Sequence, residues 1–249
     1  MYPRYTYNRR ALLGLGRQVI SGGHRSFAED ARAHLSCLRP PLQVHGREHI
    51  PHAGPALLVV NHYHRPGFGA WWIALAMAAV VPVEMHWAMT DELTFPGKWY
   101  SALGRAGSRW LLRRLARVYG FTAMPPMPPR PSDVTRRALA VRHLLAYARE
   151  HPAAVLGLAP EGMDMPGGQL HRPPAGAGRL IARLSGMGFP IIPVGTWEQN
   201  GALHLRFGPP SSPDAPATLS ADEKDRFVAD AVMAAIAAQL PQPLRGEFA

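Results

Sequence analysis

Asn61 and His62 stand directly behind the apolar run at 56–60, and His64, Arg65, Pro66 and Gly67 follow at once. An imidazole in that setting can take a proton from a hydroxyl, share a metal with a second histidine, or simply pack at the end of a strand. A second polar stretch, Pro160-Glu161-Gly162-Met163-Asp164, closes another apolar run at 154–159. If the two runs are parallel strands of one sheet, both loops open on the same edge. Imidazole, carboxylates, arginine and main-chain amides would then surround one cleft, a set suited to deprotonating a hydroxyl beside an anionic group. A metal held by His62 and His64, with Asp164 or His171, is the poorer reading, because a bare His-x-His lacks the usual downstream ligands. No metal is expected.

The elements around these loops read as follows. A short strand covers 42–44, and the buried run at 56–60 is the next. A helix over 68–80 leads into a strand at 81–89, and strand, helix, strand implies a parallel crossover. Arg105, Arg109, Arg113 and Arg117 recur every fourth residue on an amphipathic helix over 105–118, either as a solvated basic face or as a stripe lying on anionic headgroups. The Pro-rich segment 124–133 is a connector, and Ser132 or Asp133 can cap the helix after it, with Val134, Ala138, Val141, Leu145 and Ala148 on one face. Further strands fall at 154–159, 190–197 and 203–207, with a helix at 175–185 between the first two. Ser220 to Glu223 forms a capping box that opens a last helix to about residue 240. The expected fold is α/β, a mixed and mostly parallel sheet flanked by helices. In such sheets ligands collect beyond the carboxyl ends of the strands.

With 249 residues, 47% of them hydrophobic, the chain can build one large core. Residues 1–40 read as a basic helical arm in which Arg9, Arg10 and Arg17 flank Leu12, Leu13, Leu15 and Ile20, and 41–249 as a single domain. The lone Cys37 excludes an internal disulfide. A formal net charge of +10 favours polyanions or anionic lipid, and no nucleic-acid motif accompanies it, so no nucleic-acid partner is expected. The longest apolar stretch, 70–83, contains Pro82 and ends at Glu84, short of the roughly 20 residues that span a bilayer. The expected location is cytoplasmic, peripheral on the inner face of the cell membrane, against an anionic lipid surface.

Over about 42–210 the sequence resembles the glycerolipid acyltransferase family, typified by lysophosphatidic acid acyltransferases. "VHGREHIPHAGPALLVVNH" is similar to the family's approach to its Asn-His pair, "GLAPEGMDMPGGQL" to its Pro-Glu-Gly block, and "GFPIIPVGTW" to a later strand with a central proline, here Pro193. "ALHLRFGPP" matches a strand ending in Phe-Gly and proline. The order and spacing of these blocks carry the likeness. It implies that His62 removes the proton of an acceptor hydroxyl as that oxygen attacks the thioester of an acyl-CoA or acyl carrier protein, without a covalent acyl-enzyme. Glu161 joins His62 in the catalytic set. Asn61, His64, Arg65, Gly162 and Asp164 fall on the substrate side, and Arg130 in "GFTAMPPMPPR" takes the place of a family arginine that holds phosphate. The acceptor is a lysophospholipid or related amphiphile, and no cofactor beyond the acyl carrier is implied.

The sequence departs from that pattern at one position. The family has an Asp after four intervening residues, where this chain has Gly67. Such an Asp fixes the imidazole tautomer and stabilises the cation, and in serine proteases blunting the equivalent group costs roughly 10⁴ in turnover. Three readings stay open: substitution from elsewhere, with Glu161, Asp164 or Glu198 reaching the His62 ring or His64 acting in its place; a weak or inactive relative that still binds lipid or acyl carrier; or, least favoured, the metal site of His62 and His64.

Overall fold

The computed structural model describes residues 2–94, 99–163 and 166–249. An uninterrupted apolar run leaves no face for water, so the strand it forms has to be covered on both sides. Strand β2 (Ala56–Val60) is such a strand, with every residue buried. It lies at the middle of a seven-stranded sheet ordered β1 (Gln43–His45), β7 (Ala202–Phe207), β6 (Ile191–Gln199), β2, β5 (Val155–Leu158), β3 (Met85–Thr90) and β4 (Thr122–Met124). All neighbours run parallel except the β6–β7 hairpin. The sheet is therefore mixed and mostly parallel, as the sequence implied.

Helices α1 (Arg9–Ser21), α2 (Phe27–Leu35), α3 (Trp71–Val80), α4 (Ser101–Tyr119), α5 (Val134–Glu150), α6 (Ala177–Ser185) and α7 (Ala221–Ala237) accompany the sheet. Helix α3 is apolar on nearly every side and packs against α2, whose Phe27 and Ala31 join the central core together with Leu38. The second half of the basic arm is thus built into the core. The capping box at Ser220 and Glu223 is formed in both directions and starts α7. Helix α6 is capped from a distance: the buried Asp225 carboxylate of α7 accepts N–H bonds from Gly176 (2.6 Å) and Arg179 (2.7 Å).

Three elements differ from the sequence reading. Strand β3 begins at Met85 instead of 81, because Glu84 is turned to the start of α2, where its carboxylate accepts from Ser26 Oγ and from the Ala28 N–H at 3.4 Å. The short strand β4 lies just ahead of the Pro-rich segment and pairs with β3. Asp133 does not cap α5 with its side chain. It accepts from Arg130 (2.6 Å) and Arg136 (2.7 Å), a stronger charged pairing. Among the other histidines, His86 on β3 is buried, bonds Thr122 Oγ1 at 2.8 Å and stacks on Tyr147, and burial pushes its pKa down to about 4.

Candidate active site

Because β2 and β5 are adjacent and parallel, the loops after Val60 and Leu158 leave the sheet at the same edge. Asn61, the first residue past β2, is buried, and its side-chain amide behaves like one more peptide unit. Its Nδ2 donates to the Thr196 carbonyl (2.9 Å) and its Oδ1 accepts from the Thr196 N–H (2.7 Å), extending the β2–β6 pairing by side chain. That fixes where the next residue, His62, begins.

Glu161 holds His62 from the other loop. Its Oε2 accepts from the His62 N–H (2.7 Å) and its Oε1 from the His171 N–H (2.9 Å), so the carboxylate ties three segments of main chain together. Burial raises the Glu161 pKa, against the opposing pull of those two N–H bonds and of the nearby imidazoles. Contact between the loops continues at Gly168, where a Cβ would lie 2.7 Å from the His64 carbonyl oxygen. Only glycine fits there, at φ +67. The His62 side chain is half-buried, with its Nδ1 closed off from solvent.

Glu198, at the end of β6, is engaged elsewhere. The Arg65 guanidinium forks onto it through Nε and through NH2 at 2.8 Å, while Tyr5 (2.6 Å) and Tyr63 (3.3 Å) donate their phenol protons to it. Burial first, then the negative charge of Glu198, pushes Tyr63 up to about 12, and the same causes raise Tyr5, so both remain neutral donors. Arg65 also covers the Tyr2 ring at 3.8 Å. Arg65, expected on the substrate side, is thus paired with the Glu198 carboxylate and lies over the Tyr2 ring.

Two clefts adjoin the Pro-rich segment. One of about 230 Å³ is lined by Met127, Pro128, Glu161, Met163, His171 and Pro174 among others. Gly162, at φ +67, leaves just enough room for Met127, whose Cγ would sit 3.0 Å from an added Cβ. The other, about 340 Å³, lies between the first turns of α4 and the segment at Arg130, Ser132 and Asp133. There Arg130 donates to Glu92 (2.9 Å) and Asp133, while Arg109 pairs with Glu92, and Arg113 and Arg136 with Asp91. Burial works against ionising Glu92, yet its bonds from Arg130 and Arg109 hold its carboxyl below the ordinary range. Half of the arginine stripe expected on α4, Arg109 and Arg113, is therefore paired with the buried carboxylates of the loop after β3.

The structure thus joins His62, Glu161 and Gly162 in one place, brings the His64 main chain against the same loop, and sets Arg130 across the Pro-rich segment from them. Asp164 lies outside the described residues. Among those residues, no group of three or more His, Cys, Asp or Glu is arranged to hold a metal ion. Sequence reasoning missed Met127, Pro128 and Met163 as cleft walls and Asp91 and Glu92 as anchors of the arginines. Asp91 and Glu92 had a signal, since they follow the end of a strand at the same sheet edge. The prolines read only as a connector.

Residues 41–197 match the family described as Acyltransferase, and the chain belongs to that family. No curated protein is similar enough to match the chain. Among solved structures, the chain is similar to the 1-acyl-sn-glycerophosphate (LPA) acyltransferase PlsC from Thermotoga maritima, with 17% identity, 89% of this chain and 78% of that chain covered, and a TM-score of 0.48.

Proposed function

We propose that the chain transfers a fatty acyl group from the thioester of acyl-CoA or an acyl carrier protein to a hydroxyl of a lysophospholipid or related amphiphile, with His62 as general base. One observation carries this reading. The Glu161 carboxylate fastens the main chain of His62 beside a cleft walled mostly by methionine and proline, in a chain of an acyltransferase family. A preorganised loop of this kind holds an imidazole in one position relative to a bound amphiphile, which is where most of the advantage of a positioned base comes from.

The step balances as follows. The acceptor O–H gives its proton to His62 as its oxygen bonds to the thioester carbonyl carbon. The tetrahedral adduct then expels the thiolate, which takes the proton back from the imidazolium. Asn61 serves by fixing the loop, and Glu161 by holding His62 and His171 together. His64 and Gly162 border the acceptor, and Arg130 is the cation nearest in sequence to the Pro-rich wall. Of the three carboxylates that could take the place of the family Asp, Glu161 binds the His62 and His171 N–H groups, Glu198 binds Arg65, Tyr5 and Tyr63, and Asp164 lies outside the described residues.

A second reading, a member that binds acyl lipids without turnover, is favoured by Gly67. Its φ of +81 is backbone that suits glycine and strains an aspartate. Incubating the purified protein with labelled acyl-CoA, or labelled acyl carrier protein, and a panel of lysophospholipids decides between the two. Acylated product made in proportion to enzyme supports transfer, and bound but unreacted lipid supports the second reading.

We further propose that the protein rests on an anionic membrane surface through α1 and α4, which pack together and expose Leu13 (70%), Ile20 (81%), Leu103 (78%) and Trp110 (56%) beside Arg9, Arg10 and Arg17. Apolar side chains interspersed with arginine on helix faces suit the headgroup boundary.

A further inference from the structure

We infer that the N-terminal segment 2–8 works as a clasp on the loop that carries His62, with Tyr5 as a positioning residue that acts on the loop through Glu198. This rests on the acyl-transfer reading above and adds to it a side chain that sets the base without touching substrate.

Strand β6 makes the clasp possible. Its pairing with β2 ends at Val194, opposite Val60, yet it runs on to Gln199 in its hairpin with β7. The chain leaving β2 is therefore met by this overhang: Asn61 bonds the main chain of Thr196, and two residues further along the strand Glu198 takes the next part of the loop. The Glu198 side chain is only 2% exposed. Its Oε1 accepts from Tyr5 (2.6 Å) and from Arg65 (2.8 Å), and its Oε2 from the Arg65 Nε and from Tyr63 (3.3 Å). Each oxygen takes one phenol and one guanidinium donor, filling the roughly four lone-pair sites of a carboxylate. Tyr63 and Arg65 belong to the His62 loop, and Tyr5 to the N-terminal segment.

That segment has anchors of its own. On either side of Tyr5, the Arg4 N–H donates to the Arg39 carbonyl (2.7 Å) and the Asn8 N–H to His34 Nδ1 (3.0 Å), and Tyr7 stacks on Trp72 with ring centres 4.8 Å apart. The phenol is thus presented from a frame outside the loop. A phenylalanine at position 5 would serve the ring contacts with Phe68 (5.6 Å) and Trp72 (5.0 Å) equally well, so what the hydroxyl adds is the bond to Glu198. A buried charged set often adds little net stability over apolar packing, and what it can supply is one fixed arrangement. Here the chain is fixed on both sides of His62: Asn61 and Glu161 hold it from one side, Tyr63 and Arg65 from the other. The turn beyond is closed by the Phe68 N–H on the Arg65 carbonyl (3.0 Å), with Gly67 at φ +81. Gly67 offers no side chain to restrain that turn, and Glu198 with the N-terminal segment restrains it from outside.

The test compares the full chain with Tyr5→Phe and with a matched control, Tyr119→Phe, which removes the same kind of bond (2.9 Å) from the buried Asp30 of α2. Amide hydrogen exchange is read over 63–68, and initial rates are read with labelled acyl-CoA and the lysophospholipid panel, with thermal unfolding to confirm that each variant is folded at the assay temperature. Tyr5→Phe is expected to speed exchange over 63–68 about tenfold and to lower kcat about tenfold at unchanged KM, the order of one hydrogen bond to a charged group. Tyr119→Phe should do neither, because loop amides exchange through local opening, which a loss of stability elsewhere leaves untouched. A Tyr5 hydroxyl with a merely structural role would lower the unfolding midpoint and leave loop exchange and kcat alone. Unaltered exchange over 63–68 in Tyr5→Phe overturns the proposal, as does an equal loss of kcat in Tyr119→Phe. Faster loop exchange in a chain that acylates nothing keeps the clasp and removes the transfer reading. Turnover by Tyr5→Phe at the wild-type kcat keeps the transfer reading and overturns the positioning role.

Discussion

At the residue scale, the site rests on two side chains that act through main chain. Asn61 takes both polar groups of Thr196, and Glu161 takes the N–H groups of His62 and His171. Glu161 is also a buried charge, and its pKa is raised above the ordinary 4.5. Between that unfolded value and the higher folded one, the folded chain keeps a proton that the unfolded chain has released. Stability from this group therefore falls as pH rises through that window, and the penalty is absent below it. Glu161→Gln removes the titration and turns an amide NH2 toward one of the two N–H donors. Urea unfolding of both proteins at about pH 4 and about pH 7 should show the stability advantage of the wild type shrinking toward the higher pH. An advantage that grows with pH contradicts the raised value. The sequence displayed Asn61, His62 and Glu161 as polar residues at strand ends, and that much was readable from pattern. Which atoms they bond was not, because the partners lie 135, 99 and 10 residues away.

At the element scale, local signals served well where the partner is local. The capping box of α7, the apolar run of β2 and the crossover through α3 all formed where periodicity and caps put them. Pattern fell short where a charge from elsewhere took over. Asp133 suits a cap by type, but arginines three residues to either side claim its carboxylate. Helix α6 lacks a side-chain cap of its own, and Asp225 from α7 supplies it. Asp225→Ala should cost about 2 kcal/mol, toward the upper end for a lost N-cap because two main-chain donors lose their acceptor. Chemical unfolding should show a lower midpoint at an unchanged denaturant slope, with Asp225→Asn recovering part of it. No change in midpoint would mean that the α6–α7 junction does not depend on this carboxylate.

At the scale of the whole molecule, the charge of +10 and the exposed apolar residues of α1 and α4 belong to one surface account. No helix among the described residues is long and apolar enough to cross a membrane. The expected outcome of flotation is that the protein rises with vesicles containing anionic lipid at low salt and is released as salt shortens electrostatic reach to about 10 Å near 0.1 M. Leu13→Asp with Ile20→Asp should weaken flotation without changing the core, since both side chains face solvent. Failure to float at low salt contradicts the peripheral reading. Composition displayed the positive charge in advance, whereas the pairing of Arg109 with Glu92 and of Arg113 with Asp91 required the fold.

The central claim is that His62 receives the acceptor's proton. The most direct measurement is initial acyl transfer by His62→Ala beside the wild type, on whichever donor and acceptor the wild type uses, with the folded state of both checked by thermal unfolding. A positioned base contributes typically 10²- to 10⁴-fold, so the variant should lose transfer by about that factor while still binding lipid. Transfer at the wild-type rate by folded His62→Ala would contradict the account.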